Sequence, residues 1–230
     1  MSPDAGTGGA ELADRLVAVR ARIEAAGGDP SAVRVVAVTK GHGVEAVRAA
    51  LAAGLTDVGE NYADELVAKA AGLGPGPAGP SWHFLGTVQR NKVARLAPLV
   101  SCWQAVARIE EGRAIAARRP GSTVLVQVDV AGLEGRNGCR PADVPSLVTG
   151  LRGEALDVAG LMAVGPPGPP EASRAGFRAV TALADRLDLP VRSMGMSDDL
   201  EVAVSEGSTM VRLGRTLFGE RSPRAHRPAP

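Results

Sequence analysis

The chain alternates short β-branched apolar runs, each bounded by turn residues, with segments whose apolar residues recur at helical spacing. Runs this short read as strands buried on both faces, and helical returns between them make those strands parallel. The runs are Val33–Lys40, Asp57–Asn61, Trp82–Gly86, Ser101–Val106, Val124–Val130, Asp157–Val164, Val191–Met196 and Met210–Phe218. Helical periodicity covers Glu11–Ala26 ahead of the first strand, where it could cap the bottom of a barrel, and then one segment after each of the first seven strands. Eight strand and helix units in 230 residues fit a single-domain α/β fold, the (β/α)8 TIM barrel, near the lower end of its length range. A doubly wound open sheet is the competitor, but no GxGxxG follows an early strand. The barrel is assigned to residues 9–221, with a loose Gly/Ser/Pro-rich segment over 1–8 and a disordered tail over 222–230.

In such folds the chemistry gathers where strands end, and the first strand ends on Lys40. Only three of the 26 basic residues are lysines, Lys40, Lys69 and Lys92. Arginine keeps its proton, whereas a desolvated lysine can become a neutral amine and condense with a carbonyl. Position alone leaves Lys40 as either such an amine or a strand-terminating charge that reaches for water.

Composition narrows the partners. Six aromatic residues and a net charge of +1 argue against nucleic-acid binding. Cys102 and Cys139 stand apart without ligand-spaced histidines, so free thiols are expected and no metal site. The amino terminus lacks a signal-peptide pattern and no apolar run reaches membrane-spanning length, so a cytoplasmic protein is expected.

Anion-binding features follow the last two strands. Ser197 offers a hydroxyl at a helix start, and Gly214-Arg215-Thr216 offers a glycine that lets amides approach an anion. Each has a plainer reading: Ser197 as an N-cap whose neighbours Asp198 and Asp199 would repel phosphate unless turned outward, Gly214 as a bend, Asn61 as the N-cap of the third helical segment. An amine at one strand end and phosphate donors at two others ask for a ligand with a carbonyl and a phosphate, either pyridoxal 5'-phosphate or a sugar-phosphate ketone.

Six segments carry a more specific signal: AVTK (37–40), VGENY (58–62), WHFLGTVQRNK (82–92), GLMAVG (160–165), SMGMSDDLEVAVSEGSTMVRLG (193–214) and LFGER (217–221). In this order they resemble the YggS/PROSC family of pyridoxal-phosphate-binding homeostasis proteins, over roughly Glu11 to Arg221. The resemblance implies a barrel like the alanine racemase N-terminal domain, with pyridoxal phosphate held as a Schiff base on Lys40. It further implies that Ser197, Gly214 and Arg215 hold the phosphate, that Arg212 faces the pyridine nitrogen and that Asn61 lies near the ring. His83 and Met194 are weaker cofactor contacts, since both fall on expected strands where a core position is the commoner outcome.

A permanent guanidinium beside the pyridine nitrogen disfavours its protonation and weakens the ring as an electron sink. Without the motif around it, Arg212 would read as a strand arginine in an ion pair. Racemisation needs acid/base groups on two faces of a carbanion, and Tyr62 is the chain's one tyrosine. The expected function is therefore intracellular pyridoxal phosphate homeostasis without turnover, by a monomer whose partners are the cofactor and apo forms of pyridoxal-phosphate enzymes. The alternatives are a pyridoxal-phosphate racemase of low activity using Lys40 with Tyr62 or water, and a Schiff-base lyase acting on a sugar phosphate.

Overall fold

The computed structural model describes residues 5–74, 79–133, 135 and 137–220. Within them eight strands close into a barrel in chain order, every neighbouring pair parallel: β1 (Arg34–Val38), β2 (Asp57–Glu60), β3 (Ser81–Phe84), β4 (Val100–Val106), β5 (Thr123–Val128), β6 (Asp157–Ala163), β7 (Val191–Ser193) and β8 (Met210–Leu213). Closure is made by β8 on β1, with Val36 opposite Arg212 and Ala37 opposite Leu213. The helices are α1 (Ala5–Ala25), α2 (Val44–Ala52), α3 (Ala63–Leu73), α4 (Arg90–Leu96), α5 (Ile109–Ala116), α6 (Val144–Gly153), α7 (Arg174–Arg186), α8 (Leu200–Ser205) and α9 (Arg215–Phe218).

Strand alternation sorts the side chains into two layers. One set, including Val35, Ala37, Val58, Trp82, Phe84, Trp103, Val124, Val126, Leu161 and Val211, packs with the apolar faces of the helices in the main core. The Phe84 and Trp103 rings meet edge to face at 5.6 Å. Each buried Val, Leu or Phe here contributes about 1.5–3 kcal/mol relative to exposure. The alternate set faces the lumen: Cys102, Leu125 and Met162 form a separate small cluster, alongside buried His83, Gln104, Ser193 and Arg212.

Differences from the sequence reading lie at element ends. Instead of capping the bottom of the barrel, α1 packs against α2, α8 and α9. Among the described residues only the short α9 follows β8, and α1, packed on α2, α8 and α9, fills the eighth position in the helical ring. It begins at Ala5, ahead of the expected Glu11. The eighth strand stops at Leu213 rather than Phe218, because Gly214 turns the chain into α9. Helix α8 starts at Leu200, so Ser197 is not its N-cap, and α3 takes Tyr62 rather than Asn61 as its N-cap. The expected 222–230 tail and residues 1–4 lie outside the described residues.

Gly153 closes α6 on an exposed face, and a Cβ built there meets nothing within 4 Å. Gly153→Ala is expected to raise unfolding free energy by about 0.5 kcal/mol, by restricting the unfolded chain. Urea denaturation reads this as a higher midpoint at unchanged slope.

Candidate functional site

Lys40 lies two residues beyond β1, at the C-terminal mouth of the barrel, and both of its neighbours are pinned. The Thr39 carbonyl accepts from Lys69 Nζ at 2.7 Å, and the Thr39 hydroxyl donates to Glu60 Oε1 at 2.7 Å. On the other side, Gly41 N–H donates to Glu65 Oε2 at 2.8 Å. Gly41 has φ +77°, a conformation that favours glycine and turns the chain sharply after the lysine. Beneath this turn Lys69 and Glu60 form a buried ion pair. Burial pushes the Glu60 carboxyl up, and the hydrogen bond and charge of Lys69 only partly offset it.

Arg212 points inward from β8 and is 5% exposed. Its guanidinium donates to Ser193 O at 2.6 Å, Ser193 Oγ at 2.7 Å and Ala163 O at 2.7 Å. These partners are uncharged, and among the described residues no carboxylate pairs with it, so the ion-pair reading does not hold. Burial pushes it down to about 10, with the charge of Asp199 acting the other way. A guanidinium carries five N–H donors, so these three contacts account for at most three of them, and Arg212 lines the mouth cavity.

Beside the end of β1, which pairs with β8, the loops after β7 and β8 are tied together: Thr216 N–H donates to Ser197 Oγ at 3.2 Å. The two neighbouring acids are occupied. Asp198 pairs with Arg215. Asp199 accepts from Met196 N–H at 2.6 Å and from the Ser173 hydroxyl at 3.2 Å.

These elements enclose a cavity of about 360 Å³ lined by Lys40, Asn61, Ser197, Asp198, Arg212, Gly214 and Arg215, over an apolar side of Val38, Leu85, Met162, Val164 and Met196. Six of the eight residues singled out from sequence thus meet at one place. The other two do not line it. Met194 is fully buried in the main core. His83 faces the lumen below the cavity, bonded through Nε2 to Asp57 at 2.8 Å and through Nδ1 to Gln104 at 2.7 Å. Both were weak contacts on sequence grounds, and strand packing accounts for each position. A second cleft, of about 390 Å³, shares Asn61 with the first and is also lined by Tyr62, Phe84, Thr87, Gln89 and Lys92.

Sequence reasoning missed Glu60, Lys69, Gln104 and Ser193. Lys69 could have been found, since the scarcity of lysine that drew attention to Lys40 applies equally to it. Gln104 and Ser193 carry no such signal, because a polar residue in an apolar strand does not reveal its partner across a barrel.

Known proteins agree with this architecture. The sequence profile of the alanine racemase N-terminal domain matches residues 11–222. A pyridoxal phosphate homeostasis protein of Pseudomonas aeruginosa is 40% identical, over 91% of this chain and 96% of its own length. That of Deinococcus radiodurans is 36% identical, over 88% and 97%. Among solved structures, PipY of Synechococcus elongatus with pyridoxal phosphate bound superposes with a TM-score of 0.76 at 31% identity, covering 90% of this chain and all of that one. An alanine racemase of Clostridium difficile shares the fold at 14% identity with a TM-score of 0.69, and this chain covers 58% of it. The chain belongs to the family of pyridoxal phosphate homeostasis proteins, built as a single barrel on the alanine racemase N-terminal domain fold.

Proposed function

We propose that this protein binds pyridoxal 5'-phosphate as a Schiff base on Lys40 and serves cofactor homeostasis in the cytoplasm without turnover of its own. The observation that carries the reading is the meeting of Lys40, a buried guanidinium bonded to uncharged acceptors, and the Ser197/Gly214/Arg215 edge around one cavity. The donor set suits the cofactor: an amine for the aldehyde, hydroxyl and cationic donors for the phosphate, and spare guanidinium N–H groups for the pyridine nitrogen. Asn61 Oδ1 is buried without a hydrogen-bond partner, an acceptor that a ligand hydroxyl beside Asn61 would satisfy. When bound, the cofactor supplies a reactive aldehyde and a pyridine ring.

Tyr62 lines the neighbouring cleft rather than this cavity, and Asp198 is engaged by Arg215. Among the described lining residues no acid/base group with an open valence opposes the lysine. The cationic Arg212 also disfavours a proton on the pyridine nitrogen and so blunts carbanion chemistry. Apo forms of pyridoxal-phosphate enzymes are the recipients that such a carrier would serve, and the barrel is taken to act as a monomer.

The test is an absorption spectrum of the purified protein after incubation with pyridoxal phosphate, followed by borohydride reduction and mass mapping. A visible band and a reduced adduct on Lys40, both lost in Lys40→Ala, are expected. A protein that takes up no cofactor sinks the binding assignment. Exchange of amino-acid α-protons into deuterated water by the loaded protein, lost in Lys40→Ala, would overturn the absence of turnover.

A further inference from the structure

Four buried polar side chains form a single hydrogen-bonded line down the barrel lumen. Arg212 Nη1 donates to Ser193 Oγ at 2.7 Å, and Ser193 Oγ donates to Gln104 Oε1 at 2.7 Å. Gln104 Nε2 then reaches His83 Nδ1 at 2.7 Å, and His83 Nε2 reaches Asp57 Oδ1 at 2.8 Å. Ser193, Gln104, His83 and Arg212 are all buried. Gln104 belongs to β4, whereas Ser193 and Arg212 belong to β7 and β8, which do not neighbour β4 in the barrel. The line therefore crosses the lumen, from the cavity at one end to Asp57 and its companion Arg34 at the start of the strands.

With a neutral imidazole the donors and acceptors give the line one consistent direction. A guanidinium only donates, so Ser193 Oγ accepts from Arg212 and its own proton goes to Gln104 Oε1. That sets the amide with its NH2 toward His83, whose Nδ1 must then be bare, placing the imidazole proton on Nε2 where the Asp57 carboxylate accepts it. A donor-only group at the top and an acceptor-only group at the bottom give the same orientation. Burial pushes the Asp57 carboxyl up, but the hydrogen bond and charge of His83, with Arg34, bring it below its usual value. With a neutral imidazole, reversing the amide would set Gln104 Oε1 against a bare Nδ1 or leave a bare Nε2 against the Asp57 carboxylate, so the imidazole and the Ser193 hydroxyl together hold Gln104 in this orientation.

We propose that His83 is a positioning residue for Arg212: without touching the cavity, it fixes through Gln104 and Ser193 the direction in which the Arg212 guanidinium presents its remaining N–H donors. Arg212 needs this support because its other acceptors are two backbone carbonyls, and among the described residues no carboxylate is bonded to it. The inference rests on the proposed cofactor site only in identifying what those donors address.

The test uses three full-length variants and two readouts. His83→Leu cuts the line at the imidazole. His83→Asn keeps an acceptor near the position of Nδ1 and serves as the conservative rescue. Gln104→Met cuts the same line one link nearer Arg212, so a folding failure of His83→Leu leaves the question open to measurement. The first readout, in ligand-free protein, is hydrogen exchange of the Arg212 guanidinium protons by nitrogen-15 NMR. The second is the affinity for pyridoxal phosphate and the absorption band of the bound cofactor. Loosening of the Ser193 hydroxyl that accepts from Arg212 is expected to speed Arg212 exchange and to weaken cofactor binding roughly tenfold in His83→Leu and Gln104→Met, with a displaced band. His83→Asn is expected to stay within about twofold of wild type, since it retains the bond to Gln104. Unchanged exchange and an unchanged band in folded His83→Leu or Gln104→Met would overturn the proposal. If wild type takes up no cofactor while Arg212 exchange still responds, the binding assignment fails and the positioning role stands. If cofactor is taken up while Arg212 exchange does not respond, the positioning role fails and the binding assignment stands.

Discussion

Lys69→Met is expected to lower the unfolding free energy by about 3–5 kcal/mol at neutral pH, and to recover much of that loss in acid. The pair it breaks is wholly enclosed: Glu60 is 0% exposed, and its carboxylate is served by Lys69 and by the Thr39 hydroxyl on one oxygen alone. The second oxygen, Oε2, has no hydrogen-bond partner. Removing the lysine leaves an ionised carboxylate without its counter-charge, which is the costly half of any buried ion pair. The pH dependence follows from the direction of the Glu60 shift. Its folded-state value is raised above the ordinary 4.5, so the folded protein binds this proton more tightly than the unfolded chain does. Stability attributable to the group is therefore greatest in acid and falls as pH rises from the unfolded value through the folded one. Lys69 acts downward on that value, so its loss moves the upper edge of the window to higher pH. Urea denaturation between about pH 4 and about pH 8 should thus show two curves that diverge as pH rises. A loss of equal size at every pH would mean that Glu60 is not the group left exposed by the substitution. The same variant releases the Thr39 carbonyl next to Lys40, so cofactor uptake should weaken even at the acid end, where the fold is nearly restored.

How far the sequence could be read depended on whether a residue's role was local. Alternating apolar runs and helical periods are local signals, and all eight strands fall where those runs lie. Lys40 was visible because it closes an apolar run in a chain that uses arginine for most of its basic residues. The ends of elements were less legible. Gly214 reads equally as a bend within a strand or as the start of a helix, and only the packing of α9 against α1 decides it. Ser197 and Asn61 have side chains that suit an N-cap, yet each helix begins later and leaves them at the cavity. The role of His83 was beyond reach for a different reason. Its partners Asp57 and Gln104 come from the neighbouring strands β2 and β4, and Gln104 matters only because barrel closure brings β7 and β8 within reach across the lumen. No spacing in the chain encodes that meeting. Six motif segments in order pointed to the family without that knowledge, since they record sequence likeness and not contacts.

Gly86→Ala is expected to weaken cofactor binding roughly tenfold and to cost about 1–3 kcal/mol of stability, although alanine has no difficulty with the backbone conformation there. Gly86 follows β3, and its φ is not in the left-handed region, so the demand for glycine is one of space. A Cβ built at Gly86 would stand 2.0 Å from the Asn61 carbonyl oxygen and 3.2 Å from the Phe84 ring. The oxygen belongs to the backbone, and both sides of the contact are held. Leu85 N–H donates to Glu60 O at 2.7 Å, which fastens the end of β3 to the residue just before Asn61. One of the two segments must therefore yield, and either movement displaces Asn61, the residue common to both clefts and the owner of the buried unpartnered Oδ1. Gly79→Ala is the matched control: it adds the same methyl group just ahead of β3, where a Cβ meets nothing within 4 Å, and should stay within about 0.5 kcal/mol of wild type. Calorimetric titration with pyridoxal phosphate and urea denaturation of the pair separate the two effects. If Gly86→Ala binds and unfolds like Gly79→Ala, the Asn61 backbone is free to move without consequence, and the placement of its side chain against the cofactor ring loses its support.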